Sequence, residues 1–198
     1  SRGIFIGGPG PTKQYFVEGN YLHYEIQDKI LDTFDTGYTD EFGLRELVST
    51  ASETMTNLKI SKEKKLMKRF LKEVTKTDSS LSVYGENQVR KALQMGAIDT
   101  LLLSENLRRY RIKLTCPTCD HSLIKTIKEE DFEDLQLPEC TDCETPTQME
   151  IVEKTDLIDE LSDLAEKTSS NVEIISLGSE EGDSLFSAFN GIAGILRY

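Results

Sequence analysis

Tryptophan is absent from the 198 residues, histidine occurs twice and cysteine four times. These shortages exclude a good deal. His23 and His121 stand far apart, and no Ser-His-Asp or Cys-His arrangement suggests itself, so no nucleophilic or acid–base centre is legible and the chain does not read as an enzyme. No uncharged apolar run approaches the ~20 residues that a membrane helix needs, and no basic segment followed by an apolar one opens the chain. A cytoplasmic protein without membrane contact is expected. Internal repeats and low-complexity tracts are also missing. The chain opens at Ser1 and runs at once into the strand-like Gly3-Ile4-Phe5-Ile6-Gly7, which suggests a truncated or processed piece of a domain begun upstream.

What is present is acidic. The formal charge is −12 and the pI about 4.7, which argues against broad binding to nucleic acid or anionic membranes, because phosphate surfaces repel the chain as a whole. The charge is unevenly spread. Residues 1–57, 112–150 and 151–198 carry nets of −5, −7 and −7, whereas 58–111 carries +7. A hydrophobic content of 37% is enough for a buried core.

The order of patterns is α/β. Ile4–Ile6 reads as a strand, followed by a Pro-Gly-Pro turn that places Pro11 or Thr12 at a helix start. Leu22, Ile26, Ile30 and Leu31 recur at helical spacing, and Phe42, Leu44, Leu47, Val48, Ala51 and Met55 mark another amphipathic helix. Ser61 is a plausible N-cap for a separate helix to Lys76, with the apolar stripe Leu66, Met67, Phe70, Leu71 and Val74. A strand at Leu81–Tyr84, a helix at Glu86–Met95 stopped by Gly96, and a buried strand at Ile98–Ser104 make a strand–helix–strand unit, usually buried in a parallel sheet covered by helices. The pattern resumes as a helix at Leu157–Lys167, a strand at Val172–Leu177, a helix at Ser184–Phe189 and a strand at Ile192–Tyr198. Between these halves, about 108–150 has a different composition and reads as an insertion.

All four cysteines lie in that insertion. Cys116-Pro-Thr-Cys119 is followed 20 residues later by Cys140-Thr-Asp-Cys143. Each pair forms a tight knuckle, and two knuckles complete a tetrahedral Zn–S4 site. Four protein ligands leave no position for water, so the zinc would be structural. Two disulfides or four free thiols are the alternatives, and His121 could replace one thiolate. With ~40 residues and few large apolar groups, the insertion is expected to draw most of its folding energy from the metal, on the order of 10 kcal/mol.

Gly7-Gly8-Pro9-Gly10-Pro11-Thr12-Lys13 lacks the Gly-Lys-Ser/Thr ending of a phosphate loop and reads as a tight turn. Lys62, Lys65, Arg69, Lys72 and Lys76 line one side of the 61–76 helix, as a solvated face or as a surface for RNA or an acidic partner. Arg90, Lys91, Arg108, Arg109 and Arg111 extend it in this reading. The carboxylates Asp156, Asp159, Glu160, Asp163 and Glu166 fall on predicted solvated faces.

Taken in order, several stretches resemble archaeal and eukaryotic class 1 peptide chain release factors. They are Gly8-Pro9-Gly10-Pro11-Thr12-Lys13, Gly37-Tyr38-Thr39 with Phe42-Gly43-Leu44-Arg45-Glu46-Leu47, Lys64-Lys65-Leu66 with Arg69-Phe70, Tyr84-Gly85, Lys91 to Leu102, and Gly191 to Tyr198. The resemblance implies an α/β fold in three parts: the C-terminal half of a middle domain at 1–58, an L30e/L7Ae-like α/β sandwich at 59–107 and 151–198, and an inserted zinc-ribbon mini-domain at 108–150. It implies translation termination, with no catalytic residue here, because the Gly-Gly-Gln loop and the Asn-Ile-Lys-Ser signature are absent. Zinc ligands in the insertion point to an archaeal member. The implied partners of a monomeric factor are an elongation factor 1-alpha-type GTPase, an ABC-type recycling ATPase and the ribosome, meeting Lys62, Lys65, Arg69 and the closing Gly194-Ile195-Leu196-Arg197-Tyr198. The rival readings are a pelota-type rescue factor, disfavoured by the insertion, and a free-standing L7Ae-like RNA-binding module, disfavoured by the acidic remainder.

Overall fold

A computed structural model describes residues 3–143 and 146–198. The chain divides into two compact units, Ser1–Lys62 and Glu63–Tyr198. Among the described residues no helix is long and apolar enough to cross a membrane.

The first unit is small. Strand β1 (Ile4–Gly8) leads through the proline-glycine turn into α1 (Thr12–Glu18), then the single turn α2 (Tyr24–Gln27) and β2 (Ile30–Asp35). β1 and β2 pair in parallel, with Phe5 and Phe34 in ring contact at 5.5 Å. Helical spacing misleads at Ile30 and Leu31: they belong to β2, because Ile30 lies opposite Ile4 in the ladder, and tertiary pairing overrides a weak local period. α3 (Glu41–Val74) begins in this unit, where the Asp40 carboxylate accepts the N–H groups of Phe42 and Gly43. A Cβ at Gly43 would stand 1.9 Å from the Tyr38 carbonyl oxygen, so only glycine permits that approach. Among the described residues of this unit Ala51 is the only buried hydrophobic one, while Tyr15, Tyr21, Tyr38, Phe42 and Leu44 are exposed.

α3 is one helix of 34 residues rather than the two expected. No glycine or proline interrupts it after Gly43, and Ser61 sits inside it instead of capping a new start. Thr50, Ser52, Thr54 and Thr56 each donate a hydroxyl to a carbonyl four residues back, so these polar groups are absorbed without breaking the turn.

The second unit is built on a four-stranded sheet, with helices on both faces. After α3 come β3 (Ser82–Tyr84), α4 (Glu86–Gln94) and β4 (Ile98–Ser104). A separate sheet follows, made of β5 (Arg109–Thr115), β6 (Ser122–Lys128) and β7 (Glu150–Asp156) in the order β6-β5-β7. The chain then returns through α5 (Leu157–Lys167), β8 (Asn171–Ile175), α6 (Glu180–Ala188) and β9 (Ile192–Leu196). The main sheet has the order β3-β9-β4-β8 and is mixed, not parallel. β4 and β8 are parallel, but β9 enters between β3 and β4 and runs antiparallel to both. The β3-α4-β4 crossover therefore skips one position, which the last strand fills.

Alternation along the strands divides the core. Leu101, Leu103 and Ile192 pack with Val89 and Leu93 of α4 and Leu157 and Leu161 of α5. Leu102, Ala193 and Ile195 point the other way, to Met67 and Phe70 of α3 and Leu185 of α6. Most of these side chains are fully buried, worth about 1.5–3 kcal/mol each on transfer from water. α6 starts four residues earlier than its periodicity suggests, because the Ser179 hydroxyl caps it by accepting the Gly182 N–H at 3.1 Å.

Candidate metal centre and charged surfaces

The three-stranded sheet carries the cysteines. β5 ends at Thr115 and delivers Cys116 directly into the first knuckle, where the Cys116 N–H donates to the His121 carbonyl (2.9 Å) and the Asp120 N–H returns to the Cys116 carbonyl (3.0 Å). Asp120 adopts φ 57°, a left-handed turn that an aspartate tolerates. The second knuckle is held by the Cys140 N–H on the Thr147 carbonyl (2.8 Å) and by a bridge between Glu139 and Gln148. His121 Nδ1 lies 2.8 Å from a carboxylate oxygen of Asp142 and so ties one knuckle to the other.

These supports bring the four sulfurs within 4.8 Å of one another, with Cys116–Cys143 and Cys119–Cys140 each at 3.5 Å. A disulfide needs about 2.05 Å. Tetrahedral bonds of ~2.3 Å to one ion place sulfurs about 3.75 Å apart, and the observed spacing is of that order. Burial resists ionisation of Cys116, but N–H groups of Thr118 and Cys119 and contacts with neighbouring thiols outweigh it and bring this thiol down to about 6. Contacts with Cys119 and Cys116 push Cys143 up to about 12. Cys116 thus ionises more readily than an ordinary thiol, and Cys119 and Cys143 less readily. At an effective dielectric of 20, two thiolates at this distance repel by about 5 kcal/mol, and a divalent cation is the natural counter-charge. The four thiols are close enough together that they could share one metal ion.

Under the knuckles Ile112, Leu114, Ile127 and Met149 pack with Cys116 and Cys140, and Tyr110, Phe132, Leu135 and Leu137 join them. This module therefore has more apolar support than its composition suggests. The Lys154 ammonium sits 3.8 Å from the Tyr110 ring centre and 3.7 Å from that of Phe132. The sheet also continues to Asp156, past the expected end of the insertion.

A polar junction that sequence reading missed fixes this sheet to α4 and α5. One Glu86 carboxylate oxygen accepts from Arg90 (3.1 Å), Arg111 (3.2 Å) and Thr126 (2.7 Å), while Glu160 takes the Arg90 guanidinium with both oxygens at 2.7 Å. Burial disfavours the charged Arg90, yet its bonds to Glu160 and Glu86 prevail and raise its pKa. Only the Glu86/Arg90 spacing of four was legible in advance. Arg90 and Arg111 are consumed here and Arg108 pairs with Glu129 at 3.2 Å, so these arginines do not extend the basic face of α3.

The expected partner residues have different fates. Lys62 and Lys65 are exposed on α3, in the first and second unit respectively. Arg69 is exposed and pairs with Asp99 at 3.0 Å. Gly194 and Ile195 lie inside the central strand, Ile195 with no accessible surface, so they are core rather than contact. Leu196 is half-buried. Arg197 donates to the carbonyls of Gly96, Thr168 and Ser169 at 2.7–3.1 Å and clamps the chain end, leaving Tyr198 76% exposed. His23 belongs to the first unit and His121 to the second. At the glycine-rich turn a cavity of about 350 Å³ opens beside Ile6, Gly8 and Phe16, but the Lys13 ammonium is held by Asp35 and the Gly10 carbonyl, as befits a tight turn rather than a phosphate cradle.

Residues 60–198 match the family eRF1 domain 3, and residues 1–57 match eRF1 domain 2. The peptide chain release factor subunit 1 of Archaeoglobus fulgidus is 50% identical over 196 residues, covering 99% of this chain and 46% of that protein. The chain thus spans about half the length of the curated relatives it matches. Among solved structures, the C-terminal domain of the peptide chain release factor from Methanosarcina mazei superposes with TM-score 0.72 at 38% identity, covering 82% of this chain and 98% of that one. Archaeal Pelota, in a model of its ribosome-bound state with ABCE1, shares the fold at TM-score 0.53 and 19% identity, over 98% of this chain and 43% of that one.

Proposed function

Because the chain belongs to the archaeal and eukaryotic class 1 release-factor family, we propose that it is the C-terminal part of a translation termination factor, the part that recruits the translational GTPase and the recycling ATPase. The observation that carries this is the match to eRF1 domain 3 over residues 60–198. In this reading 1–58 is the latter half of the middle domain, 59–107 with 151–198 an L7Ae-like partner-binding domain, and 108–150 an inserted zinc ribbon. The chain lacks a Gly-Gly-Gln loop and so carries no hydrolytic residue of its own.

Zinc is the metal that best suits four thiols in two knuckles, since soft thiolates at tetrahedral spacing select it. Bound there, it would join the two knuckles and neutralise the thiolates, a structural role. Cys116, Cys119, Cys140 and Cys143 would be its ligands. Cytoplasmic thiols stay reduced, consistent with the four free cysteines.

The protein-docking surface we assign to the end of the main sheet where Tyr198 projects beside the Arg197 clamp. Arg69 is at the same end, because its partner Asp99 follows Ile98, which lies opposite Leu196. An exposed tyrosine beside arginines suits an interface anchor. Lys62 and Lys65 stand further along α3, where charge steers encounter more than it holds a complex. The experiment is capture of an archaeal elongation factor 1-alpha-type GTPase, in its GTP state, on immobilised protein, with the ABC-type ATPase tested separately. Retention of both is expected. Retention of neither by folded, metal-loaded protein would overturn the reading.

A further inference from the structure

At the end of the cysteine-bearing sheet away from the knuckles lies a cleft of about 320 Å³, near the lower limit of about 300 Å³ for ligand pockets. Leu107, Arg109, Lys128, Glu129, Glu130 and Phe186 line it, Leu107 buried and the Phe186 ring 41% exposed, so that it offers an aromatic surface to solvent. Glu129 accepts from Arg108 at 3.2 Å and from the Tyr110 hydroxyl at 2.8 Å, and Glu130 accepts from Lys128 at 2.9 Å. Arg109 has no hydrogen-bond or ion-pair partner among the described residues, and it lies directly opposite Lys128 in the β5–β6 ladder. Like charges in that position repel. Both carboxylates of the cleft are occupied, so an anion from outside is what would relieve the pair. The strand that ends at this cleft is also open. β6 is an outer strand of its sheet, and its seven residues pair with β5 in unbroken register, whereas β7, the other outer strand, is irregular beside Lys113 and Leu114. A bulge blunts an edge, and β6 has none. Leu123, Ile124 and Lys125 are exposed along it, and Lys125 has no carboxylate within ion-pair distance among the described residues. β6 runs toward Lys128, so its edge leads into the cleft.

We propose that β6 and this cleft together receive the C-terminal tail of another polypeptide, added as a parallel strand with its carboxylate on Arg109 and its last, apolar side chain against Phe186. Direction decides the parallel sense, because only a tail that runs with β6 brings its C-terminus to the Lys128 end. Main-chain hydrogen bonds along the edge supply affinity, and the cleft supplies selection. A carboxylate fits the forked guanidinium in bidentate geometry. A phosphate dianion fits less well, because Glu129 and Glu130 line the same cleft and like charges brought together are costly. Lys125 favours an acidic residue a few positions before the end of the tail. The cleft follows Ser104 at one end of β4, whereas Leu196 lies opposite Ile98 at the other. The tail site is thus separate from the docking surface assigned above, and it stands without it.

The test is fluorescence anisotropy of a labelled synthetic peptide, Gly-Ser-Asp-Val-Asp-Ile-Phe with a free C-terminus, against the full, metal-loaded chain. The free acid should bind, and its C-terminal amide should bind about tenfold more weakly or worse, which is the scale of a hydrogen bond to a charged group. Arg109→Gln should weaken the acid by a similar factor and leave the amide unchanged, so that the variant no longer tells the two apart. The control Lys167→Gln on α5 should change neither. Strand addition is read by N-methylating the peptide at every second residue. One alternating set should abolish binding and the other should be tolerated, because only alternate N–H groups of an added strand face the edge. No binding of the acid at about 1 mM, equal binding of acid and amide, or equal binding of both N-methylated sets overturns the inference. So does displacement by inorganic phosphate at the peptide's own concentration, which would leave an anion site only. Self-association of the chain that the peptide reverses would assign the edge to a second copy and overturn it as well. The acid–amide comparison uses the parent protein, so it decides even if Arg109→Gln does not fold. GTPase capture reads the other surface, so failure of either reading leaves the other standing.

Discussion

Replacing Glu86 by Ala should loosen the three-stranded sheet from α4 and α5 more than any other single change at that junction. One carboxylate oxygen there accepts from Arg90, Arg111 and Thr126, and the Glu86 side chain is only 15% exposed. Arg90 would keep Glu160, but Arg111, 25% exposed, would lose its only carboxylate among the described residues and retain Thr126. Removing one partner from a fully buried ion pair costs about 3–5 kcal/mol; partial exposure here lowers that to about 2–4 kcal/mol. For a unit of this size that is roughly 6–15 °C in melting temperature. The assay is thermal unfolding of metal-loaded protein, with hydrogen exchange reporting whether β5–β7 loosen before the main sheet. Two Nε atoms of the network, on Arg90 and Arg111, are buried and have no hydrogen-bond partner among the described residues. Joint replacement of Glu86, Arg90 and Arg111 by Leu, Met and Met should therefore cost much less than the sum of single changes. A Glu86→Ala protein that melts with the parent, or a triple variant whose loss equals the sum, would refute the account.

Metal analysis of protein purified without chelator should give close to one zinc per chain, and Cys140→Ser should abolish it while Tyr198→Ala leaves it unchanged. Ile195→Ala should lower stability by about 2–5 kcal/mol as a core cavity, whereas Tyr198→Ala should leave melting unchanged and weaken GTPase capture by about 1–3 kcal/mol if it is a true anchor. The Lys76 ammonium and then the Leu81 N–H depress the Glu73 carboxyl, and the Tyr110 hydroxyl and then Arg108 depress Glu129. Groups with a lowered folded pKa stabilise above the ordinary carboxylate value of 4.5 and lose that contribution as pH falls through the folded value. Glu73→Gln with Glu129→Gln should accordingly flatten the acid limb of a stability–pH profile and leave its shape above neutrality unchanged; an unchanged acid limb would remove these two groups as its cause.

Sequence by itself determined the elements whose local signals were strong. β4, α5 and the paired cysteine knuckles follow from the run Leu101-Leu102-Leu103, a helical period at Leu157–Lys167, and a two-by-two cysteine spacing that suits a shared site. A basic side of α3 through Lys62, Lys65, Arg69, Lys72 and Lys76 was legible too, since helical spacing places these residues together before any fold is known. Tertiary structure decided the rest. Ile195 and Gly194, in a strand by sequence and partner contacts by resemblance, prove to be interior once β9 is seen entering between β3 and β4, a non-local pairing that no local pattern encodes. Ile30 moved from helix to strand because β1 offered a ladder, and the charges on Arg90 and Arg111 became a junction because the chain folds Glu86 and Glu160 against them. Local propensity acts over a few residues, whereas burial and ion pairing depend on what distant segments bring to the same place; only the fold supplies that.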